Sequence, residues 1–195
     1  MARPREFDTT VVLDRAVDLF WRQGYEATSL ADLTEHLGIG RASLYACFGS
    51  KHGLYVRALQ HYVETRDPSI IEILSQSGPV LPAVRTVLEA AINSPAAAND
   101  ATPRGCLITN AAAECGADDA SVRSWLEVSW SELETVLTSA LVRAQCQGEV
   151  GADKSPRSLA RLLVVLLQGL QVMDRGGCGD ARRRDAVDVA LAALD

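Results

Sequence analysis

Cationic side chains near the N-terminus are the residues whose type and position could do chemistry. Arg41 follows the turn sequence Gly-Ile-Gly at residues 38–40, and Lys51 stands where the next helix is predicted to begin. A helix N-terminus carries free N–H groups that suit a phosphate, so cations at these positions favour a nucleic-acid partner. Arg3 and Arg5, joined by a proline, form a rigid arm of the kind that enters a minor groove, although a frayed terminus would carry the same letters.

The other reactive side chains form no catalytic or metal-binding pattern. The five cysteines are widely spaced, odd in number and without a C-x-x-C pair, so neither a disulfide framework nor a zinc site is predicted. None of the three histidines stands at metal-ligand spacing from a Cys, Asp or Glu. There is no nucleophile–base–acid set and no Gly-rich phosphate loop. The sequence therefore predicts neither an enzyme nor a bound cofactor.

Composition favours a helical globular protein. Of the 195 residues, 48% are hydrophobic and 23% are charged, which is typical of a chain that buries a core. Aromatic residues make up only 5%, and the apolar content is mostly Ala, Leu and Val, which favours helices. No apolar run approaches the ~20 residues that a membrane span needs, and the N-terminus lacks the apolar stretch of a secretory signal. We expect a cytoplasmic protein with no membrane partner.

The net charge of −6 is unevenly distributed. The 66 N-terminal residues carry eight basic and eight acidic side chains, so the acidic excess lies entirely in the rest of the chain. Because the N-terminal part is neutral rather than basic, a nucleic-acid contact there has to use locally clustered cations.

Hydrophobic periodicity predicts an all-α chain without strands or internal repeats. Asp8 or Thr9 is the expected cap of the first helix and Gly24 its end. Thr28 or Ser29 is the expected cap of the second helix, and Pro156 fits a first helical turn. The predicted helices lie at residues 8–24, 29–37, 41–47, 50–67, 80–93, 106–115, 118–147, 157–174 and 180–194. Arg182, Arg183 and Arg184 on the last of them are expected to form a solvated face.

Two short helices joined by the turn at residues 38–40 are the minimum that a helix-turn-helix requires. In that arrangement the second helix lies in the major groove of DNA while the first crosses the backbone. Short helical hairpins also occur in all-α proteins of every kind, so a three-helix core without DNA contact explains the same pattern.

The letters themselves carry a family resemblance. Residues 24–30 (GYEATSL), 37–45 (LGIGRASLY) and 48–51 (FGSK) closely resemble the N-terminal module of TetR-family transcriptional regulators, over about residues 5–62. The resemblance implies a three-helix DNA-binding domain at residues 1–50 and a helical effector-binding and dimerisation domain at residues 51–195. Gly40 departs from the family pattern, in which a capping Ser is frequent, and Ala46 with Cys47 replaces a pair that often includes His or a second aromatic residue.

The resemblance and the helix positions together assign the DNA contacts. Residues 41–43 open the recognition helix, where side chains reach base edges and Arg can bind guanine in a bidentate way. Tyr45 matches a phosphate-contacting tyrosine of the family, with packing as its alternative, and Lys51 is expected to contact the backbone rather than remain a solvated charge. The predicted DNA-binding residues are Arg3, Arg5, Thr28, Ser29, Arg41, Ala42, Ser43, Tyr45 and Lys51.

A helix that is apolar on all sides must be covered on all sides, and residues 159–170 fit that description. In the resembled family, the two C-terminal helices of each subunit form a four-helix dimer interface. A dimer also suits a helix-turn-helix protein that reads the two half-sites of a palindromic operator. The predicted interface residues are Leu163, Leu166, Leu167, Leu170, Val187, Leu191 and Leu194.

The resemblance further implies a cavity for a small-molecule effector among the middle helices. Trp130 lies on a leucine stripe and has a core role as its alternative, and Asn110 with Glu114 could orient a polar ligand or cap neighbouring helices. The predicted effector-binding residues are Cys106, Leu107, Asn110, Trp125, Trp130 and Leu133.

The expected function is a TetR-type DNA-binding regulator, a homodimeric repressor that a small-molecule effector releases from its operator. Two alternatives remain open at this point. Cys106 could act as a sensor of oxidants or electrophiles on the same fold, since a helix N-terminus and the nearby Arg104 favour a thiolate, or it could be an apolar wall of the pocket. A helical module that binds only protein is the alternative from another class.

Overall fold

The computed structural model describes residues 7–65, 69–92 and 105–194, which contain helices and no strand. The helices are α1 (Thr9–Gln23), α2 (Leu30–Leu37), α3 (Arg41–Phe48), α4 (Lys51–Thr65), α5 (Ser69–Ser75), α6 (Val80–Ile92), α7 (Leu107–Glu114), α8 (Ala120–Gln147), α9 (Pro156–Arg175) and α10 (Asp180–Ala192). The all-α prediction is confirmed. Within the described ranges, no helix has the length and apolar character that crossing a membrane requires. The predicted arm with Arg3 and Arg5 lies outside them.

Local signals in the sequence explain where several helices begin. Asp8 caps α1 by accepting a hydrogen bond from the Thr10 N–H, and Ser155 caps α9 ahead of a proline in its first turn. Ser29 caps α2 in a reciprocal capping box with Asp32. Of the two expected caps of α2, the structure therefore selects Ser29. Thr28 is fully buried, and its hydroxyl donates to the Gly24 carbonyl oxygen at 2.6 Å.

Helix α5 lies in a stretch for which the sequence predicts no helix. It has only seven residues, too few to be stable alone, since isolated helices shorter than about 12–15 residues are marginal in water. Leu74 is 1% exposed and belongs to the core that α6 also lines, so tertiary packing stabilises this helix. Periodicity over a window that short could not reveal it.

The chain divides into two compact units. The first consists of Met1–Arg66 together with Asn110–Leu126, and the second of Asp67–Thr109 with Glu127–Asp195. The first unit therefore contains α4 and most of α7 in addition to the three N-terminal helices. The predicted boundary between residues 50 and 51 separates a DNA-binding from an effector-binding function, and it stays a prediction.

The first unit is organised around α1 and α4, which pack against each other. Their contact is aromatic: the Phe20 and Tyr55 rings meet edge to face with centroids 4.9 Å apart, and Trp21 meets Tyr62 in the same way at 5.3 Å. His61, which is buried on α4, lies 2.6 Å from a carboxylate oxygen of Asp14 on α1. These contacts fix the frame on which α2 and α3 stand.

The second unit has a core of aliphatic side chains from α6, α8, α9 and α10. Two polar interactions between distant parts of the sequence close it. The Glu149 carboxylate accepts hydrogen bonds from the backbone N–H groups of Val80 and Leu81, and so caps α6 from the loop after α8. A buried ion pair joins Arg183 on α10 to Asp174 on α9, with 2.7 Å between Nη1 and Oδ1.

That ion pair corrects the expectation of a solvated arginine face. Arg183 is 6% exposed and also donates to the Ile92 carbonyl oxygen and to Asp180, whereas Arg182 and Arg184 are exposed. Three consecutive arginines point in different directions because successive residues of a helix are 100° apart. The prediction was right for the first and third and wrong for the second.

The apolar side chains of α9 and α10 also require a correction. Six of the seven predicted interface residues are buried in the chain's own core, and Leu166 packs against that core. Those six side chains are therefore used within the chain, whereas the half-buried Leu166 stays a predicted interface residue. The exposed apolar side chains of the two helices are Leu162, Val165, Val172, Met173 and Val189. That α9 and α10 cover a second copy stays a prediction, and these exposed side chains are its revised candidate surface.

Candidate DNA-binding surface and its supporting contacts

The turn between α2 and α3 has the geometry of a helix-turn-helix. Helix α2 ends at Gly38, whose left-handed backbone (φ 67°, ψ 25°) favours glycine, and its N–H donates to the Glu35 carbonyl oxygen. Ile39 is 8% exposed and anchors the turn in the core. Gly40 is the N-cap of α3 and has no side chain, so no side-chain hydrogen bond caps this helix where the resembled family often has a Ser.

Helix α3 has one anchored side and one open side. Leu44 and Phe48 are buried, while Arg41 and Tyr45 are exposed. Tyr45 is 44% exposed, which favours the contact role over packing. The remaining side chains of the open side are small, being Ala42, Ser43, Ala46 and Cys47. Because these side chains are small, the exposed side of α3 can approach a DNA groove closely, with the long Arg41 side chain at its N-terminal end.

The N-terminus of α2 corrects part of the predicted phosphate site. The buried Thr28 presents no side-chain surface to DNA, so its assignment as a contact is not supported by its position. Ser29 is exposed, but the Asp32 carboxylate already accepts its N–H at 2.8 Å. Hydrogen bonds from Ser29 lower the pKa of Asp32, so a negative charge occupies this helix end.

Lys51 stands at the start of α4, as predicted, and its ammonium has a defined support. Nζ lies 4.4 Å from the centre of the Tyr25 ring, in a cation–π arrangement, and 3.5 Å from the Glu26 carbonyl oxygen. Tyr25 belongs to the turn between α1 and α2. Lys51, the predicted phosphate contact, is therefore held by the turn between α1 and α2.

Residues 114–119 contact this region from the later segment of the same unit. The Glu114 carboxylate accepts the Tyr25 N–H at 2.8 Å, and Asp119 lies 2.5 Å from Nε2 of His52. Burial raises the pKa of the Tyr55 hydroxyl and of the Cys115 thiol, which lie together in the core, and the Glu114 charge adds to both shifts. The sequence suggested that Glu114 could cap a neighbouring helix, but it gave no signal for its contact with Tyr25.

Each of the three histidines lies beside one aspartate. The partners are Asp18 for His36, Asp119 for His52 and Asp14 for His61, at 3.3, 2.5 and 2.6 Å. In the part of the chain that the structure describes, no group of three or more His, Cys, Asp or Glu could hold a metal ion. These contacts join helices rather than bind a ligand.

The predicted effector residues are distributed over both units. Asn110 and Trp125 belong to the first, whereas Cys106, Leu107, Trp130 and Leu133 belong to the second. Cys106, Leu107 and Asn110 are buried, the two tryptophans are half-buried, and Leu133 packs against the core of its unit. Arg104, which was expected to favour a Cys106 thiolate, lies outside the described residues.

Polar residues that the sequence analysis did not assign accompany this region. Thr109 on α7 donates to Gln168 on α9 at 2.7 Å. One turn further along α9, Gln171 is 8% exposed, and its Oε1 has no hydrogen-bond partner among the described residues. The buried indole N–H of Trp130 likewise has none there. Gln168 interrupts the apolar run of α9, and that interruption was the available signal.

Two surface cavities lie elsewhere in the second unit, along α6 and α10. Their volumes are about 140 and 350 Å³, and both are lined by Arg85 and Asp188. None of the predicted effector residues lines either of them. The Arg85–Asp188 ion pair, at 2.8 Å, separates a cavity beside Ile92 from one beside Leu81.

Comparison with known proteins decides what this arrangement belongs to. Residues 12–58 match the model of bacterial regulatory proteins of the tetR family, and residues 80–188 match that of the tetracyclin repressor-like C-terminal domain. The HTH-type transcriptional regulator YezE of Bacillus subtilis is 36% identical over 196 residues, covering both chains completely. The chain belongs to the TetR family. The family resemblance read from residues 24–51 is thereby confirmed.

Other TetR-family relatives cover most of the chain as well. The HTH-type transcriptional repressor ComR of Escherichia coli is 31% identical, covering 90% of this chain and 83% of its own. A cysteine mutant of the TetR regulator CifR, solved with a 26-base-pair double-strand operator DNA, is 34% identical. Its TM-score is 0.85, with 99% of this chain and 100% of that one covered.

Membership of the TetR family establishes the class of activity. The protein is a DNA-binding transcriptional regulator and not an enzyme. The partner that this class of activity requires is double-stranded DNA. The alternative of a helical module that binds only protein is therefore excluded.

Proposed function

We propose that this protein is a cytoplasmic TetR-type repressor whose homodimer binds a palindromic operator and leaves it when an effector binds. The observation that carries the proposal is the open side of α3, with Arg41 at its N-terminus and Lys51 at the start of the next helix. The operator complex of CifR, a relative of the same fold at 34% identity, supports the DNA partner. The name of ComR supports repression.

The proposed DNA contacts follow from the side chains that the structure leaves exposed. Arg41, Ala42 and Ser43 are proposed to face base edges, and Tyr45 and Lys51 the phosphates. Ser29 keeps an exposed hydroxyl beside the α2 N-terminus and is retained as a phosphate contact. In this proposal residues 1–50 recognise DNA, and residues 51–195 bind the effector and the second copy.

We expect Arg41→Ala to weaken operator binding by about 1–3 kcal/mol and to relax base preference at one position in each half-site. A bidentate contact with a base edge discriminates between sequences, whereas a phosphate contact does not. The operator would be obtained by selecting bound DNA from a random pool with wild-type protein. The same selection with Arg41→Ala then reports the base preference.

Arg57→Ala is a suitable control, because Arg57 is an exposed arginine of the same unit on α4, with its guanidinium 5.7 Å from the Phe48 ring. It should leave the selected sequence unchanged. If Arg41→Ala weakened binding to operator and to random DNA equally, its proposed role at base edges would be wrong. The selected sites should also be palindromic, with half-site centres ~34–36 Å apart or a multiple of that.

The effector is proposed to bind in the second unit, near α7 and α9. Buried polar groups without a partner are costly, and the Gln171 oxygen and the Trp130 indole N–H are both of this kind among the described residues. A bound molecule would satisfy the Gln171 oxygen with a donor and the Trp130 indole N–H with an acceptor. Cys106 and Leu107, which are buried at the start of α7, are proposed as apolar neighbours of such a molecule.

A thiol-based response through Cys106 is the second candidate, and the cysteine mutants of CifR make it worth testing. Cys106 is 3% exposed, which favours its role as an apolar wall. We therefore expect that an alkylating agent does not change the operator affinity of either wild type or Cys106→Ser. An apolar compound that quenches tryptophan fluorescence should instead release the DNA. Release of wild type but not of Cys106→Ser by the alkylating agent would establish the sensor instead.

A further inference from the structure

Tyr25 lies between an acidic residue of α7 and the cation at the start of α4. Its backbone N–H donates to Oε2 of Glu114 at 2.8 Å, and its ring carries the Lys51 ammonium 4.4 Å from the ring centre. One residue of the α1–α2 turn thus contacts both side chains. Glu114 and Lys51 are 63 positions apart in the sequence.

The Glu114 carboxylate is seated closely at the end of α1. A Cβ atom at Gly24 would lie 2.7 Å from Oε1 of Glu114, so only glycine lets the carboxylate approach the backbone there. Gly24 also has a positive φ of 84°, and its N–H donates to the Phe20 carbonyl oxygen. The glycine that ends α1 is therefore also the site at which Glu114 reaches the turn.

The Tyr25 ring is held by other rings as well as by its backbone. Its centroid lies 4.6 Å from that of Tyr55 and 6.2 Å from that of Phe20, and both of those rings are fully buried. His52, next to Lys51, approaches the same ring edge to face at 6.5 Å and is itself beside Asp119. A cation–π contact depends on the ring face being in place, so whatever fixes the ring also fixes the ammonium.

We propose that Glu114 is a positioning residue for DNA binding. By accepting the Tyr25 N–H, it fixes the ring on which the Lys51 ammonium rests, and so determines where that ammonium meets a phosphate. The inference rests on the proposed phosphate contact of Lys51.

The test measures the salt dependence of binding to a mixed-sequence duplex, because a phosphate contact acts on every sequence. Lys51→Ala should reduce the slope of log K against log salt by about 0.9 for each phosphate that is no longer neutralised. Glu114→Ala should reduce it by a similar amount, whereas Glu114→Gln should keep the wild-type slope. Both Glu114 variants remove the same charge, and only glutamine keeps a hydrogen-bond acceptor for the Tyr25 N–H.

A double variant separates positioning from a general loss of structure. If Glu114 acts through Lys51, adding Glu114→Ala to Lys51→Ala should leave the slope where Lys51→Ala alone puts it. A further drop in slope in the double variant would overturn the proposal, and so would a wild-type slope for Glu114→Ala. Thermal unfolding of each variant shows that the protein measured is folded.

Tyr25→Leu provides an independent measurement in case Glu114→Ala does not fold. It keeps the backbone N–H and removes the ring, so we expect the same reduction of slope as for Lys51→Ala. A wild-type slope for Tyr25→Leu would contradict the role of the ring. Failure of the proposed function would look different, because wild-type protein would then show no salt-dependent duplex binding at all.

Discussion

Asp174→Ala is expected to destabilise the protein by about 3 kcal/mol. It leaves the Arg183 guanidinium buried without its principal carboxylate, and breaking a buried ion pair by removing one partner costs about 3–5 kcal/mol. We expect the lower end of that range because Asp180 still accepts from Arg183. In a chain of this length such a destabilisation lowers the unfolding midpoint by about 6–12 °C. Thermal and urea unfolding at one fixed protein concentration would measure it, since the stability of a dimer depends on concentration.

Asp188→Ala is the matched control, since it removes an exposed aspartate paired with Arg85 across α6 and α10. Its midpoint should stay close to that of wild type, because exposed ion pairs contribute little. The double variant Asp174→Leu/Arg183→Met should recover most of the stability, since two apolar side chains leave no buried charge unpaired. Equal midpoints for Asp174→Ala and Asp188→Ala would show that the buried pair does not stabilise the second unit.

Val165→Glu is expected to convert the dimer to a folded monomer at micromolar concentration. Val165 is 69% exposed on α9, one helical turn from the exposed Leu162, and both belong to the exposed apolar side chains of α9 and α10 that are the candidate partner surface. Covering a carboxylate there without a partner charge costs several kcal/mol, and about 4 kcal/mol corresponds to a 1,000-fold weaker association. Analytical ultracentrifugation would report the change, and operator affinity should fall with it.

Val142→Glu on α8 provides the comparison, because Val142 is an exposed valine outside this surface. It should remain dimeric. Leu163→Glu should instead prevent folding, since Leu163 is fully buried in the chain's own core. A dimeric Val165→Glu protein would place the interface elsewhere, and wild-type protein that sediments as a monomer would end the dimer proposal.

The sequence predicted most helices because their signals are local. A cap such as Ser29, a proline in the first turn of α9 and an apolar stripe on α8 act within a few residues of each other. Helix α8 was expected from residue 118 and begins at Ala120, with Asp119 accepting hydrogen bonds from the N–H groups of its first turn. Errors of this size come from the exact choice of cap.

The orientation of α9 was not predicted correctly. The buried residues of α9 lie on one side, but the apolar run at residues 162–167 includes both Leu163 on that side and Val165 on the opposite one, so the run by itself does not tell them apart. Only the packing of α6 and α10 shows that Leu163 is fully buried and Val165 exposed. The same limit applies to Arg183, whose partner Asp174 lies nine residues earlier across a turn.

For the DNA-binding surface, the family motif at residues 24–51 identified the recognition helix and its exposed side. It did not identify the contacts that support this surface. Tyr25 was recognised as part of the matched motif, whereas its hydrogen bond to Glu114 joins residues 89 positions apart. Thr28 shows the converse error: a residue type that suits a phosphate was assigned to one, although its hydroxyl is used inside the core. Contacts of long sequence separation leave no spacing pattern to read.

The first compact unit is made of two stretches of chain, and this has a consequence for its synthesis. When residue 66 has left the ribosome, α1 to α4 are present, but Glu114, Cys115 and Asp119 are not yet translated. Glu114 and Cys115 follow residue 66 by 48 and 49 positions, and until they emerge the Tyr25 N–H lacks this carboxylate and Tyr55 lacks its contact with Cys115. The first unit therefore completes its packing only after α5 and α6, which belong to the second unit, have been made. In the order of synthesis, the unit that carries the helix-turn-helix is finished only when part of the other unit already exists.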